Sequence, residues 1–289
     1  MISSSDVAKL RAQTGAGMMD CKNALEESNG NLEQAGDLLR KKGIAKAAKR
    51  EGKIATEGTI NVKIDGNIAV VLEINSETDF VAKNDDFKTV VNDLTAVVLK
   101  NKPNDLAEAL RLDLRGKTAE NYLIEAAAKI GEKISLRRLA VLSKDNQSVF
   151  GAYIHMCGKI GALVVLSGSV DEMLAHDIAI HIAAADPKYL KIDSVPPAVV
   201  TKEEYVYAGQ LKIEGKPDNI IVNILRGKLA KFYSEVCLLE QSYIKDDKKR
   251  VKEILPAGVR IKEYVRFELG EGLEKKEKNF IDEVNEQLK

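Results

Sequence analysis

Asp79, Phe80 and Val81 stand side by side in a run that is otherwise polar, with Asn75-Ser76-Glu77-Thr78 before them and Lys83-Asn84-Asp85 after. A large apolar ring in such a loop either tucks back onto its own core or inserts into a partner. The chemistry on offer is therefore binding, with a carboxylate carried beside the ring. Signatures of covalent chemistry are missing from the sequence. There is no Walker loop, no Gly-x-Gly-x-x-Gly after a strand and no His-Glu-x-x-His. Gly15-Ala16-Gly17 reads as a turn. His176 and His181 are five apart on one expected helix and do not share a face well enough to chelate. His155, at a strand end, reads as a structural or surface-contact residue. No acidic pair lies in an apolar context that would tune its pKa. Neither an enzyme nor a bound cofactor or metal is expected.

The elements that must position Phe80 follow from periodicity. An apolar run, Ile68 to Ile74, reads as a strand leading into the loop. Asp86 to Leu99 follows as a helix, with Phe87, Val90, Val91, Leu94, Val97 and Val98 on its apolar side. Thr59 to Ile64 pairs with the strand through Asp65-Gly66-Asn67, a strong hairpin signal. A second helix carries Ile124, Ala127 and Ala128, and Ile134 to Leu142 reads as another strand.

This order of elements recurs. Val149 to Met156 and Ile160 to Leu166 flank a turn at Cys157-Gly158-Lys159, and a helix spans Asp171 to Ala185. Val251, Ile254 and Leu255 match Ile124, Ala127 and Ala128, and Ile261 to Leu269 matches Ile134 to Leu142. The copies differ in two places. The first holds the extra loop Glu77 to Asn84, where the second crosses in Ser167-Gly168-Ser169. The second contains an insertion after Pro187, read as a helical hairpin turning at Gly215-Lys216-Pro217, with Ile220, Ile221, Ile224, Leu225, Leu229 and Phe232 along one stripe. Function is grafted onto repeated scaffolds through such additions. The hairpin stripe reads as self-packing or as a dimer or partner contact.

Ahead of the repeat, residues 4 to 43 read as three short helices, the last stopping at Gly43. Met18 and Met19 cannot both face so small an interior, and one of them is expected at the surface, where methionine suits an adaptable contact. Arg40 to Lys53 is basic and reads as a solvated helix or linker. Behind the repeat, Leu273, Phe280, Ile281, Val284 and Leu288 mark a charged terminal helix. The expected fold class is α+β, divided as a bundle (1–54), a first core half (55–143), a second core half (144–186 with 237–270), the inserted hairpin (187–236) and a C-terminal module (271–289).

Composition adds bounds. Of 289 residues, 44 are Lys or Arg and 44 Asp or Glu, so net charge argues neither for nor against nucleic acid. No apolar run is long enough to span a bilayer, and the first residues lack the pattern of a secretory signal. Three widely spaced cysteines form neither a disulfide framework nor a zinc site, and a reducing cytoplasm is expected. The absence of Trp weakens any reading based on stacking nucleic-acid bases.

Four motifs then point one way: Thr14-Gly15-Ala16-Gly17-Met18-Met19-Asp20-Cys21-Lys22, Asn75 to Ala82, Lys129-Ile130-Gly131-Glu132 with Arg137-Arg138, and Phe267 to Gly272. In this order the sequence closely resembles the bacterial translation elongation factor Ts family, with small departures at Asn23, Leu269 and Leu273. The resemblance implies a guanine-nucleotide exchange factor for elongation factor Tu in its GDP form. It also implies that the bundle is ubiquitin-associated-like, that the hairpin is a coiled-coil dimerisation domain giving a homodimer or a two-plus-two complex, and that no membrane is involved. By position, Thr78, Asp79, Phe80 and Val81 would push into the GTPase and dislodge its magnesium ion. Met18 and Met19 on the bundle, and His155 on the second core half, would be partner contacts. Two rival readings remain open: an RNA-binding protein using Arg40 to Lys53 and the exposed hairpin, and a bundle acting as a free-standing adaptor.

Overall fold

The structure, a computed structural model, describes residues 2–50 and 52–273. The expected C-terminal helix lies, from residue 274 onward, outside the described residues. The chain divides into two compact units. The first takes the chain up to Asn61, Leu72–Leu139 and the segment from Glu268, and the second takes Val62–Val71 and Ala140–Phe267.

In the first unit, three helices open the chain: α1 (Ser4–Thr14), α2 (Met18–Glu27) and α3 (Leu32–Lys49). Ser3 caps α1 by accepting the Asp6 N–H at 3.1 Å, and Gly15 ends it in the left-handed conformation. Leu10, Cys21, Ala24, Leu25 and Ala35 form the buried centre of this bundle. Strands β1 (Glu57–Asp65) and β2 (Ile68–Ser76) follow, then α4 (Asp79–Lys83), α5 (Asp85–Asn101), α6 (Leu106–Arg111), α7 (Ala119–Ile130) and β3 (Ser135–Ser143), with Val62–Val71 and the end of β3 from Ala140 assigned to the second unit. The three strands form one sheet with β2 in the middle. Buried side chains on α5 include Phe87, Val90, Val91, Leu94 and Val98, the face that its periodicity predicts.

One boundary is corrected. The third helix does not stop at Gly43 but runs on to Lys49. A Cβ at Gly43 would stand 2.8 Å from the Cβ of Ala128 on α7, and α3 and α7 pack together. The glycine permits two helices to approach closely and does not cap one. Arg40, Lys41, Lys42, Lys49 and Lys53 of the basic stretch are exposed, as expected of a solvated helix or linker, and some of its charges have acidic neighbours. Arg40 meets Glu125 at 2.6 Å, Lys42 meets Glu27 at 2.5 Å, and Arg50 meets Glu77 at 3.0 Å.

In the second unit, β4 (Ser148–His155) and β5 (Ile160–Ser167) pair antiparallel with Gly151 opposite Val164. Helix α8 (Glu172–Ala185) packs across them, so tightly that a Cβ on Gly151 would sit 1.9 Å from the carbonyl oxygen of Ala175. The inserted hairpin is α9 (Pro197–Ile213) and α10 (Asp218–Val236), and the chain returns through β6 (Ser242–Tyr243), β7 (Asp246–Arg250), α11 (Val251–Ile254) and β8 (Arg260–Glu268). The sheet order is β4-β5-β8, the same pattern as β1-β2-β3. The expected counterpart of α7 shrinks to the single turn α11. The β6–β7 hairpin before it is not marked by any signal in the sequence. It is tied down by buried His181, which bonds Gln241 through Nε2 at 3.1 Å and accepts the Ile244 N–H at Nδ1 at 3.2 Å. Burial lowers the pKa of His181, and the Gln241 bond opposes this only in part.

The central strand β2 carries a charge where the sequence suggested only apolar residues. Glu73 has 0% exposure. Its carboxylate accepts from Arg137 at 2.8 and 3.0 Å, from Arg138 Nε at 2.5 Å, from the Gly270 N–H at 2.9 Å and from Asn75 at 3.2 Å. Burial alone would raise its pKa, but the Gly270 amide and the two guanidinium groups outweigh burial and hold it below the usual carboxylate value. A depressed native pKa contributes stability that is fully present above the unfolded value of 4.5 and is lost as pH falls through the native value. Glu73→Gln leaves two arginines without their buried partner and should cost about 3–5 kcal/mol at neutral pH. In urea melts from pH 7 down to pH 3, that difference from the parent protein should shrink below pH 4.5.

Candidate functional site

Strand β2 delivers the chain to Ser76, and the residues after it are ordered by caps. Thr78, in extended conformation, is the N-cap of α4 and accepts the Val81 N–H at 3.4 Å. Its carbonyl accepts the Ser76 hydroxyl at 2.9 Å. Asn84 closes α4 through its N–H to the Val81 carbonyl and also caps α5, its Oδ1 accepting the Asp86 N–H at 2.7 Å. The expected irregular loop is therefore a one-turn helix wedged between two caps, a correction that follows from Thr78 and Asn84 being good N-cap residues.

No residue of α4 is fully buried, and Phe80 is 80% exposed. Of the two arrangements open from sequence, the ring does not tuck back onto its own core. Asp79 bonds Lys83 one turn on at 2.7 Å, and the Lys83 ammonium lies 6.0 Å from the centre of the Phe80 ring. Val81 is half-buried. The helix thus presents an apolar ring to solvent, flanked by an ion pair.

Met18 and Met19 open α2. Both are exposed, at 59% and 64%, where the size of the bundle required only one to be outside. Its interior is filled instead by Cys21, Ala24 and Leu25 of the same helix. The turn before them is held by Thr14, which donates to the Leu10 carbonyl at 2.7 Å and accepts the Ala16 N–H at 3.3 Å. Lys129 lies across Gly15, and a Cβ there would come within 2.6 Å of its side chain. His155 is exposed at the end of β4, its Nδ1 3.0 Å from the Tyr153 hydroxyl, with Ile154 and Met156 exposed on either side. The α4 residues and the two methionines belong to the first unit and His155 to the second.

Two acidic residues at the foot of α4 are not singled out by sequence reasoning. Glu132 accepts from both the N–H and the hydroxyl of Thr78, at 3.0 and 2.7 Å. Glu77 accepts the Lys133 N–H at 2.7 Å. Glu132 does lie in one of the four family motifs, but nothing in its spacing shows that it would meet Thr78, 54 positions away.

A cavity of about 600 Å³ in the first unit is lined in part by Thr14, Gly43, Tyr122, Glu125 and Lys129. Tyr122 donates to Asp93 at 2.5 Å, and burial first, then that bond, push its pKa up to about 12. Among the described residues no cluster of side chains could hold a metal ion, and no helix is long and apolar enough to cross a membrane.

The family model described as Elongation factor TS matches residues 77–271, more than half of the chain. The chain belongs to the elongation factor Ts family. The matched segment starts at the foot of α4 and runs through β8, so it contains the exposed ring, both glutamates and His155. Met18 and Met19 precede it. Membership makes the protein a translation elongation factor of the Ts type, a nucleotide-exchange factor for elongation factor Tu.

The exposure of Phe80 has a consequence for stability. A surface substitution away from packed or capped groups changes stability by no more than about 0.5 kcal/mol. Phe80→Ala should leave the urea midpoint within that margin, and a larger loss would mean that the ring does pack on the protein's own core.

Proposed function

We propose that this factor promotes GDP release from elongation factor Tu by inserting α4 into the GTPase, with Phe80 as the wedge, Thr78 and Val81 as its flanks and Asp79 acting near the magnesium site. The observation that carries this reading is the 80% exposure of Phe80 on a short helix held at both ends. An exposed ring on a fixed support gains its burial energy only when a partner takes it up.

The chemistry needs no covalent step. A GTPase holds its nucleotide through backbone amides around the phosphates and a magnesium ion bridging phosphate oxygens. A wedge that shifts the surrounding segments weakens both grips together. By linkage, factor and nucleotide then lower each other's affinity by the same ratio. Met18 and Met19 supply an adaptable apolar contact from the bundle, and the strand end at His155 a contact from the second unit. An RNA-binding reading of Arg40 to Lys53 is disfavoured by acidic partners within the chain for Arg40, Lys42 and Arg50.

Fully burying a phenylalanine is worth roughly 1.5–3 kcal/mol, and 1.4 kcal/mol is about tenfold in rate. Phe80→Ala should therefore slow release of labelled GDP from elongation factor Tu by on the order of ten- to a hundredfold. Asp79→Ala should slow it by a comparable amount, and the double variant should be less than multiplicative because the two act as a unit. Stopped-flow release at fixed magnesium decides this, and wild-type release by the double variant removes the wedge. Replacing Met18 or Met19 with Asp should raise the dissociation constant for the GTPase in calorimetry, because a charge would be desolvated at the contact. Unchanged affinity for both would take the bundle out of the interface.

A further inference from the structure

Helix α4 is a single turn with no fully buried residue, and a helix this short is not stable by its own hydrogen bonds. A wedge must nonetheless present its ring at a set angle, so its orientation has to be fixed from outside. The bonds at its foot are reciprocal. The side chain of Glu132 takes backbone and hydroxyl protons of Thr78, one on each oxygen. The side chain of Glu77 takes the backbone N–H of Lys133, next to Glu132. Two adjacent residues on one segment thus clasp two adjacent residues on another.

We propose that Glu132 is a positioning residue for nucleotide exchange, gripping Thr78 through both carboxylate oxygens so that Phe80 is presented to the partner at a fixed angle. The inference rests on the wedge reading given above. One backbone turn and two further bonds hold the support. Gly131 ends α7 in the left-handed conformation, which turns the chain so that Glu132 reaches Thr78. Arg50 bonds the other clasp residue, Glu77, at 3.0 Å. Ser76 holds the Thr78 carbonyl, so Thr78 has its N–H, its carbonyl and its hydroxyl all engaged. A carboxylate is the group that suits this place. It can accept two converging donors at once, whereas an amide offers one oxygen and turns an N–H toward the other donor.

The test separates positioning from plain stability. Release of labelled GDP from elongation factor Tu is measured as the factor is titrated to saturation, for the parent protein, Glu132→Ala, Glu132→Gln, Phe80→Ala and the double variant Glu132→Ala/Phe80→Ala, with urea melts of each. Loss of two charge-assisted bonds should lower the saturated rate of Glu132→Ala by on the order of tenfold, with Glu132→Gln in between. The factor concentration at half-maximal rate should change little. Once Phe80 is absent, removing Glu132 should slow release little further. A merely structural role predicts something else: a smaller folded fraction that excess factor overcomes, with the saturated rate unchanged. That result, alongside a slowed Phe80→Ala, overturns the inference and leaves the wedge standing, as does a fully multiplicative double variant. A wild-type saturated rate for Phe80→Ala overturns the wedge and the inference together. Should Glu132→Ala fail to fold, the same criteria apply to Glu132→Gln alone and paired with Phe80→Ala.

Discussion

A carboxylate with no access to water, on the middle strand of a sheet, imposes its requirements on everything around it. Glu73 is such a group. Desolvating a charge costs several kcal/mol unless matched by opposite charge and filled hydrogen-bond capacity. Arg137 and Arg138 on β3 supply the charge, and Asn75 and the Gly270 amide fill the remaining capacity. The arginines reach further. Arg138 donates to the Glu268 carbonyl at 2.9 Å and to the Glu271 carboxylate at 3.1 Å, and Arg137 donates to the Glu271 carbonyl. One buried charge therefore fixes the register of β3 beside β2 and the course of the chain where β8 ends, within the first unit. An apolar residue at position 73 would pack, but it would not say where the segment at Gly270 must lie.

The end of β2, thus anchored, is the platform for α4. Ser76 is buried as the last residue of the strand, and by Phe80 the chain has gone from no exposure to 80% exposure. That transition is made with caps rather than with packing: Thr78, Asn84, Glu77 and Glu132 hold what apolar contact does not. Polar clasping suits a wedge. Its apolar face has to stay uncovered until a partner meets it, so stability must come from groups at its foot.

Duplication supplies the rest of the plan. Two three-stranded sheets share one strand order, and in each half a long helix comes between the second and third strands, α5 in the first and α8, which packs on β4 and β5, in the second. What distinguishes the halves is where extra chain was accommodated. The first inserts one helical turn after its second strand. The second instead extends after α8 into the α9–α10 hairpin and adds the β6–β7 hairpin on the way back. Buried His181, held through Gln241 and the Ile244 amide, ties that added hairpin to α8.

Much of this was legible in the residues themselves. Continuous apolar runs located β2 and β5, which are buried along nearly their whole length, and apolar periodicity located α5 and α8, because these patterns are written locally. Asp65-Gly66 marked the first hairpin for the same reason. The family was also legible, since the motif around Phe80 is contiguous. Other features depended on contacts between residues far apart in sequence. Gly43 looked like a helix end and is a helix–helix contact, a distinction made only by Ala128 lying opposite. Met18 and Met19 were both left outside because three other residues of α2 fill the bundle. Glu73 passed unmarked inside a run read as apolar, and its role follows only from Arg137, Arg138 and Gly270 being brought to it; Glu132 had no visible task until the fold set it against Thr78. The sequence by itself determined the long helices and the core strands, their order and the ring to be presented. Only the tertiary structure decided which charges are buried, which helices touch and what holds that ring in place, because those outcomes belong to pairs of residues and are encoded in neither member alone.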